Sequence, residues 1–108
     1  MTAASTDAPA NPARGEAAIA VKGRKRRLRP TFAALVAAEE ELGPLFALVE
    51  RAGSGRLKLA EMTALFWHCL ADRADLSRDD LGEAIASQGL AANAPTLRAV
   101  LHQVLQGA

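Results

Sequence analysis

With 108 residues and a formal net charge of +1, the chain forms one domain at most, and its overall field selects no charged partner. Half the residues are hydrophobic (50%) but only 4% are aromatic, so the apolar content is mainly Ala and Leu, which favour helices. A single cysteine excludes an internal disulfide and fits a reducing cytoplasm; no apolar signal core or membrane-length apolar run is seen, which gives the expectation of a soluble, cytoplasmic protein.

Residues 1–13, MTAASTDAPANPA, carry no large apolar side chain after Met1 and are expected to form a disordered tail. Residues 14–108 are then the expected single domain. Ala17, Ile19 and Val21 alternate with Ala18, Ala20 and Lys22, as in a half-buried strand. A turn at Lys22-Gly23 leads to a second strand, Arg24–Arg29, in which only Leu28 is apolar.

Pro30 stops that strand and Thr31 is a suitable N-cap. Phe32, Leu35, Val36 and Leu42 predict the inner face of the helix that follows. Glu39, Glu40 and Glu41 crowd its last turn, where they oppose the helix dipole. Cations are therefore expected beside them, and the basic strand is the nearest source. Gly43-Pro44 ends this helix and starts another, with Pro44 at its first position and Leu45, Leu48 and Val49 inward.

After the break at Ala52–Gly55 comes LAEMTALFWHCL, Leu59–Leu70, the stretch around which the chain is organised. At about 100° per residue its large apolar side chains sweep roughly 200°. Only Glu61, His68 and Asp72 form a polar strip. Such a helix is central to its domain, or keeps one flank for a partner. Ser77 then opens a helix with Asp80 placed for a capping box and Leu76 and Leu81 for a hydrophobic staple. The last helix is expected to open near Asn93–Pro95, with Leu97, Val100, Leu101, Val104 and Leu105 as its apolar stripe. The fold class is α+β, mainly α: an N-terminal β-hairpin followed by four to five short helices.

Little here suggests chemistry. Glu50–Glu61 imitates a calcium loop, but Ala52 stands where an oxygen ligand is needed. His68 and Asp72 share one face without the further ligands of a zinc site. Cys69 falls in the apolar arc, a small buried hydrophobe. No phosphate loop or nucleophile elbow occurs, so no enzyme, metal or cofactor is expected. The run Lys22–Arg29 holds six cations in eight residues. It suits a solvated or self-paired edge strand, a docking surface for an acidic protein, or a nucleic-acid patch. Phe46, Phe66 and Trp67 suit core packing, or the lining of an apolar groove that receives a partner.

The string Asn11-Pro12-Ala13-Arg14-Gly15-Glu16, then Leu28-Arg29-Pro30-Thr31-Phe32-Ala33-Ala34-Leu35, Ala38-Glu39-Glu40, Leu57–Leu70, Leu76-Ser77-Arg78-Asp79-Asp80-Leu81-Gly82 and a closing Leu/Val helix make a pattern over about residues 11–108. It resembles the small family of the tail-gene cluster of gene transfer agents and related siphophages, whose members are described as tail-assembly chaperones and sometimes as tail tube proteins. The resemblance implies a non-enzymatic role. The protein would bind the tape-measure protein, shield its apolar helices and help recruit the tail tube protein around it, in the cytoplasm or on phage-like particles. Apolar contacts are then expected from Phe46, Phe66 and Trp67, with Lys22, Arg24, Lys25, Arg26, Arg27 and Arg29 steering an acidic partner. A nucleic-acid-binding protein using residues 22–29, a structural tail subunit and a homo-oligomer remain alternatives.

Overall fold

Alternating side chains form strand β1 (Ala17–Val21), which pairs antiparallel with β2 (Arg24–Leu28), Ala17 opposite Leu28 and Val21 opposite Arg24. The computed structural model describes residues 17–107; the expected tail over 1–13 lies outside the described residues, as do residues 14–16 and 108. Lys22 and Gly23 turn the hairpin with φ of 53° and 75°, the left-handed pair that suits a two-residue loop. Beyond β2, the chain at Leu70 forms a bridge to Leu28, with Arg29 N–H donating to Cys69 O (2.6 Å) and Ala71 N–H to Arg27 O (3.0 Å). Two strands alone are marginal in water. This third segment and the helices behind β1 supply the support.

Five helices follow: α1 (Phe32–Leu42), α2 (Leu45–Gly53), α3 (Leu59–Cys69), α4 (Arg78–Gln88) and α5 (Leu90–Gln106). The α+β, mainly α class expected from the sequence is the observed one. Local chemistry places several helix starts. Thr31 Oγ1 accepts from Ala34 N–H (3.1 Å), and Ser77 and Asp80 make the reciprocal capping box at 3.0 Å each way. Leu76 and Leu81 are both buried, as the staple requires. Pro44 stands one position earlier than expected, as the N-cap of α2.

Helix α3 lies between α1 and α4, burying Met62, Ala64, Leu65, Phe66 and Cys69. The hairpin packs on α4 and α5, with Ile19, Val21 and Leu28 joining the same cluster as Leu48, Ile85 and Val100.

Two elements depart from expectation. Helix α1 buries Ala34 and Ala38 and leaves Phe32 84% exposed, so its inward face is the small one and not the Phe32–Val36 row. Small side chains let α1 approach α3 closely, and close packing outweighs the burial of larger groups. Helix α5 opens at Leu90, directly after Gly89, and carries Pro95 inside it. Gly89, at φ 95°, turns the chain at once, and Asn93 Nδ2 donates to Gly89 O (3.1 Å), holding the first turn. Ala91 and Pro95 are both exposed, so the helical bond that Pro95 cannot make is lost where water replaces it.

Candidate functional site

The basic strand divides by face. Arg26 points inward and is 7% exposed; its Nε donates to Val21 O (3.2 Å) and its Nη1 to Asp75 Oδ1 (2.8 Å). Arg24 stands 3.6 Å from the same carboxylate, and Lys22 3.5 Å from Asp80. The hydrogen bond from Arg26 is the main reason the Asp75 carboxyl sits below the usual range. Asp80 is lowered chiefly by the Ser77 N–H it accepts, with Lys22 adding to the shift.

These contacts correct one expectation. The acid-rich end of α1 does not draw on the strand for any of the ion pairs described: Glu41 takes Arg78 in a two-pronged bond (2.6 and 3.1 Å) and His68 Nε2 at 2.8 Å. Its carboxyl is lowered to about 2, first by the Arg78 hydrogen bond and then by that of His68. His68 thus pairs with Glu41 rather than Asp72, whose carboxylate accepts from Ala74 N–H instead (3.0 Å). Glu39 accepts from Leu45 N–H (3.1 Å) and so ties α1 to the start of α2.

On the outer face of the hairpin, Lys25 lies opposite Ala20 and Arg27 opposite Ala18. Alanine leaves room for the long stems, and no carboxylate among the described residues is within ion-pair reach of either cation. This face is the part of the basic run that no described carboxylate engages.

The three aromatic side chains expected to act together are separated. Phe66 is fully enclosed, so it belongs to the core and touches no partner. Trp67, half-buried, has the Arg73 guanidinium 5.1 Å and that of Arg78 5.8 Å from its ring centre, and these cations cover its π-face. Phe46 is 79% exposed. Beside it a hollow runs between α2 and α5, bordered by Leu45, Val49, Val104 and Leu105. The sequence places Phe32 and Leu105 on inward apolar rows and shows no α2–α5 hollow; the fold leaves both side chains exposed. The signal was there for Phe32: Ala34 and Ala38 are spaced i, i+4 and mark a close-packing stripe on the other side.

Burial pushes the Cys69 thiol up to about 12, far from a nucleophilic thiolate. Among the described residues no three His, Cys, Asp or Glu side chains cluster as a metal requires, and no helix is long and apolar enough to cross a membrane. The described surface carries an outward cationic strand face and apolar side chains that the fold leaves outside. A family model described as phage tail tube protein, GTA-gp10, matches residues 14–107. No curated protein and no solved structure matches the chain.

Proposed function

The chain belongs to the phage tail tube protein family, GTA-gp10, and from that premise we propose that it works without catalysis, by holding another tail polypeptide during assembly. The client is the tape-measure protein, whose apolar helices it shields while tail tube subunits are recruited around them. One observation carries this reading. Phe32, Phe46, Leu90 and Leu105 stand about half exposed or more, on a chain that fully encloses Phe66, Leu28, Leu48, Leu65, Leu81 and Ile85 in its core. A partner that covers them gains the burial that the fold forgoes, about 25 cal/mol per Å² of apolar surface. Lys25 and Arg27 speed the approach of an acidic partner, and that steering weakens as salt rises. Nucleic acid is less well supported, because Asp75 and Asp80 already engage Lys22, Arg24 and Arg26.

A second reading, a structural subunit kept in the finished tail, draws on the words of the family description itself. The two separate cleanly. Co-expression with the tape-measure protein, followed by analysis of purified particles, should give a soluble complex before assembly and particles that lack this chain. Stoichiometric retention in particles would replace the chaperone with the subunit. Failure to co-purify with the tape-measure protein would remove the client.

A further inference from the structure

Along α5, Ala94, Arg98, Leu101 and Leu105 follow one another at spacings of four, three and four residues and border an open hollow of about 650 Å³. Across it, Leu45, Val49 and Ala52 on α2 repeat the four-and-three spacing. The hollow continues past Leu105 into a smaller one of about 160 Å³ beside Phe46 and Val104. Two helices that show such rows to the same gap present the holes into which the side chains of a third helix fit.

We propose that this α2–α5 trough seats one amphipathic α-helix of the partner, with acidic residues on the flank that lies against Arg98 and His102. The assignment rests on the reading that the protein holds another polypeptide, and it names where and by what chemistry. The walls are side chains and not an open strand edge, so the occupant must satisfy its own backbone, which a helix does. Ala52, Gly53 and Ala94 let that helix come close. Charge fixes its orientation. Arg98 is exposed, has no carboxylate within ion-pair reach among the described residues, and stands one turn before His102 on the same rim. Glu39 closes the opposite end beside Phe46. An occupant with acid along the α5 rim and none at the Glu39 end meets both.

The test uses the full chain and two labelled peptides of about 21 residues, three heptads with Leu at a and d, which differ only in carrying Glu or Lys on one flank. In fluorescence anisotropy the Glu peptide should bind, gaining helical circular dichroism, and the Lys peptide should bind roughly tenfold more weakly. Arg98→Glu with His102→Glu should invert that order. Leu105→Glu, at a side chain already half exposed, should weaken binding roughly tenfold, whereas the same charge placed on the exposed face of α4 by Ala86→Glu should not. Equal binding of both peptides, no binding of either, or indifference to Leu105→Glu overturns the trough. So does sedimentation showing that a second copy of this chain fills it and that Leu105→Glu releases that copy. Capture of the tape-measure protein that survives Leu105→Glu sinks the trough and leaves the chaperone standing; peptide binding without that capture does the reverse.

Discussion

Arg26 Nη1 stands 2.8 Å from Asp75 Oδ1, joining the buried face of the hairpin to the loop between α3 and α4. The arginine is 7% exposed and the aspartate 53%, so the pair is enclosed on one side only. Removing the cation takes away two charge-assisted bonds and the packing of a buried stem. Arg26→Ala should lower stability by about 2 kcal/mol in chemical denaturation. Asp75→Asn should be milder, because solvent reaches the side chain it replaces. An Arg26→Ala protein as stable as the wild type would mean that the strand is held by its backbone alone.

Acid should loosen the fold in a defined window. Glu41 has an ordinary value of 4.5 and is lowered to about 2 in the fold, chiefly by Arg78 and then by His68. The unfolded chain therefore takes up its proton first as pH falls. The stabilisation is present above about 4.5 and is lost on the way down to about 2. Asp75, Asp80 and Glu61 are shifted in the same direction and add to it. Thermal melts should show a plateau near neutrality and a decline in this range. Glu41→Gln should lower the plateau slightly and flatten the decline; because the pair is surface-exposed, salt should shrink the difference.

Two phenylalanines should behave oppositely. Phe66→Ala empties a fully enclosed site and should cost about 3–5 kcal/mol. Phe46→Ala removes an exposed ring and should change stability by less than about 0.5 kcal/mol while weakening capture of the partner. Melting curves and pull-downs on the same two proteins decide it. A Phe46→Ala protein that melts early yet binds normally would return that ring to a structural role.

Reversing the outer cations, Lys25→Glu with Arg27→Glu, should leave the melting temperature nearly unchanged, since no ion pair among the described residues is broken. Association with an acidic partner should slow, most visibly at low salt. A filter-binding titration with DNA gives the contrast. A steep loss of binding with salt that disappears in the double variant would favour nucleic acid instead.

The signals written in consecutive residues were readable. Thr31, the Ser77–Asp80 pair, the Lys22-Gly23 turn and the apolar arc of Leu59–Leu70 each act within a few positions, through geometry that the local chain fixes. What failed was decided by distance in space. Ranking α1 by side-chain size put Phe32 and Val36 inside, yet the approach of α3 selects Ala34 and Ala38. The partners of the basic strand were sought in Glu39–Glu41, nearest along the chain. The fold instead brings Asp75 and Asp80 to it from about 50 residues away. The α2–α5 hollow was invisible for the same reason, since neither helix alone shows an unfilled face.

Gln88 Nε2 donates to Ala20 O (2.6 Å) and Thr96 Oγ1 to Ala18 O (3.5 Å), on the side of β1 away from β2, while Leu70 and Ala71 run along the far side of β2. Both margins of the little sheet are thus occupied by the molecule's own groups. Copies crowded together have no ready backbone ladder on this sheet through which to zip into cross-β fibrils. A polypeptide held by this chain would meet side chains and not a backbone ladder, and a hold of that kind can be let go.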